Sequence, residues 1–455
     1  MEEGAEAIRN MTTLHPLGLA AVVVAGVSML LVDRRYVLWP VIAIVCFVAS
    51  AQRVVIFGAD FTFLRLMVMC GLIRALAFEP WHRPKWNRLD IIVLLWAAVA
   101  FSFPLVRLVT GGGGDLMSSA VYRAGQTFDA VGMYFVFRLL VRSWDDALSA
   151  IKGLTLALIV MAPFFIAEWL TRFNAFSIFG GVPEMTMIRN DRLRCQGAFS
   201  HPILAGCFAA SALPLIAVQW WVGGSSRTTT VIGSLACLVV VVACASSTPV
   251  LAVLAGVPAF GMWWFRHHAA WIRWSIYGGL VALHIVMNAP VWHLISRVSV
   301  VAGGSSWHRY ALVDGAITHW HEWWLIGTRV GSAHWGHFTQ DVTNMYIVQG
   351  LSGGLLQLLL FLTLIGFAFG RVGRLWRGAT DRRHEYLAWA LGVALWMHAV
   401  NHFGVAYFGQ VWMGWYFVLA MLGALPPVVA TWKTSVQSAS SAASDPPRLV
   451  PTPAT

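Results

Sequence analysis

An all-α polytopic integral membrane protein, with about 12–13 transmembrane helices and two long outer loops, is the fold class predicted by three features of this sequence. First, 58% of its 455 residues are hydrophobic and 11% are charged, where soluble domains carry roughly 25% charged residues. A mean hydropathy of +0.69 is more apolar surface than one core can hide in a chain of this size. Soluble globular, disordered and fibrous classes are thereby excluded. Second, the apolar residues fall in runs suited to a bilayer, which takes roughly 20 residues per helix. Third, basic residues concentrate in alternate loops, as orientation in a membrane requires.

The runs lie at 14–32, 36–50, 61–78, 89–109 and 122–141, then at 148–170, 203–222, 229–245 and 249–265. The last are 272–288, 345–370, 385–402 and 408–430. The 36–50 run is short and the 122–141 run is polar in places, so the count stays open by one or two. The opening MEEGAEAIRN is acidic and lacks the basic n-region of a cleavable signal, so the first run is expected to remain a helix. The Ser-, Ala- and Pro-rich tail is expected to be disordered. The chain divides into N-terminal helices over 1–170, a core carrying both outer loops over 171–370, C-terminal helices over 371–433 and the tail over 434–455. The six cysteines show no CxxC spacing, so neither a disulfide framework nor a thiolate metal site is indicated.

One set of loops holds Arg34 and Arg35, then Arg83, Lys85 and Arg88, then Arg142, Arg227, Arg266 and Arg273. It ends with Arg371, Arg374, Arg377, Arg382 and Arg383, whereas the short loops of the other set hold little beyond Arg9, Arg53 and Arg123. The first set is therefore cytoplasmic. The net charge of +11 is mostly an orientation signal, and no nucleic-acid partner is expected. Two long stretches, 171–202 and 289–343, fall on the outer side and are rich in Arg, His and Trp. Long connections of this kind are usually functional.

The first outer stretch ends in Arg189-Asn-Asp-Arg192-Leu-Arg194 and then Gly197-Ala-Phe-Ser-His201-Pro202, before an apolar helix. A guanidinium is a fixed fork of donors matched to phosphate oxygens, and a helix N-terminus adds backbone N–H groups. The cluster is either an anion site or a set of solvated, headgroup-facing arginines. The second stretch holds Trp307-His308-Arg309, then Trp320, Trp323 and Trp324, which either stack sugars or anchor the interface. Its end, His337-Phe-Thr-Gln-Asp341-Val-Thr-Asn344, would place His337, Asp341 and Asn344 on one face if helical. His337 with Asp341 is then a general base with its orienter, or else a wet surface pair.

Other signals are weaker. His398 and His402 have metal-pair spacing, yet two ligands fall short of a zinc site, and polar cavity lining is the alternative. Arg65 lies inside an apolar run, where charge usually faces a cavity or a partner. Glu168 beside Trp169 is either an acid or an interface anchor. The acids of the outer stretches, among them Glu184, Asp314 and Glu322, are scattered, so no metal and no cofactor are expected.

Several of these pieces resemble the O-antigen ligase and O-antigen polymerase superfamily. Arg194-x-x-Gly197-x-x-x-His201-Pro202 before a helix is similar to a motif of that family, as are Ser246-Ser-Thr-Pro and Trp307-His-Arg309. Trp324-Leu-Ile-Gly327, then Asn344-x-Tyr346 before Gly350-Leu-Ser-Gly353-Gly354, complete the likeness, which covers roughly residues 171–370. The resemblance implies a GT-C-like inner-membrane glycosyltransferase, inverting and metal-free, with a polyprenyl-diphosphate-linked glycan as donor. It also implies a glycan or glycolipid acceptor, transfer on the periplasmic side, surrounding membrane lipids and a place beside polysaccharide export machinery.

By the same resemblance Arg194 and Arg309 contact the diphosphate; Arg192, His201, His308, Asn344 and Tyr346, with Arg65 for its charge inside an apolar run, are the accompanying substrate-binding candidates. Where ligases carry His before the Asn, this chain has Thr343, which leaves His337, Asp341 or leaving-group stabilisation to supply catalysis. A secondary transporter or lipid-linked-glycan flippase is the competing class, and a membrane scaffold a third.

Overall fold

The computed structural model describes residues 14–56, 59–78, 85–111, 115–297, 306–336 and 339–426. The tail 434–455 and His337 lie outside the described residues. Helices dominate. The N-terminal part comprises α1 (Pro16–Leu31), α2 (Trp39–Phe47), α3 (Phe63–Ile73), α4 (Arg88–Thr110), α5 (Leu116–Leu140) and α6 (Trp144–Thr171). A hairpin of β1 (Arg53–Ile56) and β2 (Ala59–Thr62) precedes α3. A second hairpin, β3 (Met187–Arg189) with β4 (Arg192–Arg194), follows α6. Then come α7 (Pro202–Ala217), α8 (Gln219–Val222), α9 (Arg227–Ala243), α10 (Ser247–Gly261) and α11 (Ala269–Val286). The chain continues through α12 (Ser306–Thr318), α13 (Trp320–Trp323), α14 (Met345–Gly378), α15 (Arg382–Gly404) and α16 (Val411–Ala424).

Local sequence explains where the long helices start. Asn87 with Asp90 and Ser143 with Asp146 form capping boxes at α4 and α6, each satisfying orphan N–H groups of the first turn. His201 caps α7 through Nδ1, which accepts from the Ile203 N–H at 3.2 Å, and Pro202 occupies the first helical position. Nearly every residue of α7 is buried, and α6, α9, α10 and α15 pack around it. On the other flank a buried ion pair, Arg138 Nε to Asp90 Oδ1 at 3.2 Å, ties α5 to α4, and the Tyr134 hydroxyl donates to the same oxygen at 2.6 Å.

Among the described residues, five stretches are long and apolar enough to cross a membrane: Arg88–Thr110, Trp144–Thr171, Pro202–Val222, Ser247–Val286 and Met345–Gly378. Pro16–Leu31, Arg227–Ala243 and Val411–Ala424 are shorter apolar helices. Fewer helices meet this standard than there are apolar runs, for identifiable reasons. The run at 36–50 yields the nine-residue α2, the run at 61–78 loses its start to β2, and those at 249–265 and 272–288 join through a 3₁₀ turn.

The two long stretches, 171–202 and 289–343, are more ordered than loops. The first folds into the β3–β4 hairpin and the second contains α12. Asn190 and Asp191 both have positive φ, 50° and 55°, as a two-residue hairpin turn of matching twist requires. The helix expected to bring Asp341 and Asn344 onto one face does not form over the described residues. Residues 339–344 are irregular and α14 starts at Met345, because Asn344 Oδ1 accepts from the Tyr346 and Ile347 N–H groups as an N-cap.

Candidate functional site

Register places three guanidiniums together. Arg189 pairs with Arg192 across the β3–β4 hairpin and Met187 with Arg194. Cross-strand partners share a face, as do residues two apart, so Arg189, Arg192 and Arg194 lie on one face. Like charges directly opposite are destabilising, and Arg189 and Arg192 are such a pair. Arg192 remains exposed at the turn, whereas Arg194, at the base, is buried.

Two interactions fix that base. The Cys195 N–H donates to Ala243 O at 3.0 Å, and the buried Glu168 of α6 accepts from the Gln196 N–H at 3.1 Å and the Gly197 N–H at 2.9 Å. Gly197 itself has φ +56°, and a Cβ there would meet the Phe165 ring at 2.7 Å. Glu168 therefore positions the segment after Arg194 rather than anchoring an interface. Nothing in its local sequence signals this role.

Arg194 and Arg309 converge on the junction between α9 and α10. Arg194 Nη2 donates to Ser246 Oγ at 3.1 Å, and Arg309 Nη2 donates to Ser247 Oγ at 2.9 Å and Thr248 Oγ1 at 3.0 Å. Ala245, just before these hydroxyls, has φ 45°, a conformation that costs a non-glycine residue energy and that clusters at functional sites. Ser246 is the N-cap of α10 but makes no side-chain cap bond, so its hydroxyl is not spent on the first turn of that helix.

Both guanidiniums are buried, with 5% and 7% of their surface exposed, and among the described residues neither makes an ion pair. Arg309 Nε is also buried without a hydrogen-bond partner. Burial pushes both groups below the usual arginine range, and neighbouring Arg189 adds to the effect on Arg194. Two buried cations without counter-charge are costly. The arrangement leaves two buried positive charges that only hydroxyl and carbonyl oxygens meet among the described residues.

His201 belongs to this neighbourhood. Burial, then the charges of Arg194 and Arg189, push its imidazole down to about 4, while Asp341 opposes them. His201 is thus neutral near pH 7. Because its Nδ1 accepts from Ile203, the neutral ring carries its proton on Nε2. It can donate to an oxygen there but cannot act as a base through that atom. Asp341 is exposed and acts on His201 from the irregular segment before α14.

The remaining candidates fall elsewhere or play other parts. His308 neighbours Arg309 on α12, but adjacent helical residues do not share a face, and it makes no hydrogen bond among the described residues. Asn344 spends its carbonyl oxygen on the cap of α14. The Tyr346 hydroxyl donates to Ala399 O at 2.9 Å and ties α14 to α15. Arg65 is clamped bidentately by Asp129, at 2.8 Å to each oxygen, and also donates to Asp60 Oδ1 at 2.9 Å. Two carboxylates neutralise it, so it is not a ready cation for a diphosphate. His398 Nδ1 lies 2.9 Å from the Tyr407 hydroxyl, and the His402 ring is boxed by Tyr407, Trp415 and Phe361. Among the described residues no group of three His, Cys, Asp or Glu side chains is placed to hold a metal ion.

No protein-family model matches this chain, and no curated protein matches it.

Proposed function

We propose that this chain is an inner-membrane glycosyltransferase acting in surface polysaccharide assembly, as an O-antigen or exopolysaccharide polymerase or ligase. It moves a glycan from a polyprenyl-diphosphate donor to a glycan or lipid acceptor, without a metal and with inversion, on the periplasmic side of a bundle of about 12–13 spans. The observation that carries the reading is the pair of buried, carboxylate-free guanidiniums of Arg194 and Arg309 on consecutive hydroxyls at the N-terminus of α10. When the anomeric C–O bond breaks, negative charge grows on the leaving diphosphate, and preorganised cations in a dry site stabilise it. Arginine does this at any working pH.

The acceptor hydroxyl attacks the anomeric carbon from the face opposite the diphosphate, forming the new C–O bond as the old one breaks. The bonding pair leaves with the diphosphate, and the hydroxyl proton passes to the exposed Asp341 carboxylate or to water. His201 contributes an Nε2–H donor beside the arginines. The products are a lengthened or transferred glycan and a free polyprenyl diphosphate.

One feature favours the transporter reading. α14 is broken at Gly353 and Gly354, and broken helices often bind ions in transporters. Here, however, Arg107 Nη1 takes the freed carbonyls of Leu351 and Ser352, at 3.1 and 3.2 Å, with Ile326 O at 3.0 Å. A guanidinium stands where a coupling cation would sit. Transfer of glycan from an extracted lipid-diphosphate donor by the purified protein tests the transferase. Arg194→Ala and Arg309→Ala should each lower the rate by about 10²–10³-fold at unchanged protein level. Full activity in both variants would sink the mechanism.

A further inference from the structure

A second place in the molecule has a different chemistry. A cavity of about 420 Å³ is walled by the β1–β2 end, α4, α5, the start of α14 and residues 407–416. Neither Arg194 nor Arg309 lines it. Its charges balance among the described residues: Arg65 and Arg123 against Asp60 and Asp129. The two carboxylates hold Arg65 yet each keep about a third of their side-chain surface exposed, 31%, so they still accept hydrogen bonds. Gln126 and Thr127 supply further polar groups, and Trp96, Trp412 and Tyr416 supply rings. Hydrogen-bonding side chains beside aromatic faces, with no net charge, suit a neutral polyhydroxylated ligand rather than an anion.

The cavity has an apolar neighbour. A groove of about 920 Å³ runs between α3, α4 and α5, lined by Leu72, Leu76, Leu94, Phe101, Phe128 and Phe135. Leu76, Leu94 and Phe128 are exposed, which puts the groove on the flank of the bundle, where the spanning helix α4 meets lipid. Its end away from the cavity is closed by the Asp90–Arg138 pair. Ala97 on α4 and Thr127 on α5 belong to both walls. Groove and cavity thus share a thin wall of two small side chains, with an apolar trough on one side and a polar chamber on the other. The chamber in turn abuts the arginine site. Ser50 Oγ lies 2.5 Å from Ser200 Oγ, and Gln410 Nε2 donates to Ala198 O at 2.9 Å, both within the segment from Arg194 to His201.

We propose that groove and cavity together bind a membrane-embedded glycolipid with an uncharged sugar head. Its hydrocarbon chain lies between α4 and α5, and its hydroxyls reach Asp60, Asp129 and Gln126. On the transferase reading, on which only this name rests, the ligand is the acceptor, entering sideways from the bilayer and kept apart from the charged donor site. The chamber selects against anions because Asp60 and Asp129 already neutralise Arg65.

The test uses the full chain in lipid nanodiscs with a diazirine-bearing dodecyl maltoside as probe, and no donor present. Labelling is expected on α4 and α5 around Leu94, Phe101 and Phe128. Unlabelled dodecyl maltoside should compete for it and dodecylphosphocholine should not. Ala97→Trp, which plugs the junction, should weaken labelling about tenfold, a loss of roughly 1.4 kcal/mol in binding. Thr127→Leu gives the same readout if the first variant does not fold. Equal competition by dodecylphosphocholine, or labelling unchanged by a folded plug variant, overturns the proposal. Arg194→Ala and Arg309→Ala should label normally, so failure of the transferase reading and failure of this site give different results.

Discussion

Arg194 and Arg309, from a β-hairpin and a helix far apart in the chain, rest on the adjacent hydroxyls of Ser246 and Ser247 at 3.1 and 2.9 Å. The hydroxyls compete weakly for the guanidinium donors and carry no charge, so they aim the arginines without neutralising them. Carboxylates treat Arg65 in the opposite way. Two arginines are held as cations and one is cancelled, and that contrast separates the two sites.

Stability should report the uncompensated charge. A buried cation without counter-charge carries a desolvation cost, so replacing it by an apolar side chain of similar length is neutral to stabilising. Arg309→Met is therefore expected to unfold at the same or a higher temperature than the parent in the absence of ligand, while losing transfer. Inorganic pyrophosphate should raise the midpoint of the parent and leave that of Arg309→Met unmoved. A variant that is several degrees less stable, with pyrophosphate still effective, would show that Arg309 is a structural strut.

The clamp beneath Arg194 makes a separate prediction. Glu168 accepts two backbone N–H groups that are otherwise buried, and hydrogen bonds to a charged group contribute about 1.5–3 kcal/mol each. Glu168→Ala should lower stability by about 3 kcal/mol or more. Glu168→Gln keeps one acceptor oxygen and should fall between. If Glu168 acted only as a proton donor, Glu168→Gln would instead match Glu168→Ala in transfer rate while unfolding like the parent.

Much of this site is visible in the sequence as separate words. The arginine triplet, Ser246-Ser-Thr-Pro and Trp307-His-Arg309 are conspicuous as motifs, and the helical membrane class follows from composition. What joins the motifs is not local. Strands of three residues are too short for alternation to be read, so the hairpin that aligns Arg189, Arg192 and Arg194 is hidden. α12 carries Trp, His, Arg, Tyr and Asp with little periodicity, and reads as loop. Arg65 looks like a lone intramembrane cation because one of its partners, Asp129, lies 64 positions away. The face expected for Asp341 and Asn344 depends on a helix that Asn344, a strong capping residue, starts only at Met345.

His201 gives a pH prediction. In the folded protein its imidazole sits at about 4, against an ordinary value of 6.5. As the pH falls below 6.5 the unfolded chain takes up the proton first, so this residue's contribution to stability declines between about pH 6.5 and pH 4 and is constant above that window. His201→Asn retains a good N-cap and removes the titration. Thermal unfolding of parent and variant should therefore change relative to one another only below pH 6.5, with the parent losing more. His201→Ala should also lose about 1 kcal/mol of cap at every pH. A parent–Asn difference that is flat from pH 7 to pH 4 would contradict the neutral assignment.

The break in α14 carries the last prediction. Gly354 has φ +68°, and a Cβ there would meet Leu325 O at 2.4 Å and Trp324 O at 2.8 Å. The Leu355 N–H donates to that Trp324 carbonyl at 2.7 Å, and the Thr328 N–H donates to Leu351 O at 3.0 Å. The segment after α13 is thus stitched to the break by these backbone bonds and by Arg107, which bridges Ile326 O to Leu351 O and Ser352 O. Gly354→Ala meets both a left-handed backbone and a steric clash, and should cost more than about 1 kcal/mol. Arg107→Met leaves three carbonyls without their shared donor but adds no clash. If the break serves to hold residues 324–328, and through them α12 with Arg309, both variants should impair transfer, measured as kcat with stability recorded in parallel. Restoration by Arg107→Lys should be partial, since an ammonium lacks the flat fork that serves three oxygens. A Gly354→Ala protein with normal stability and normal kcat would mean that α14 straightens without consequence, and that the glycine pair does not position the arginine site.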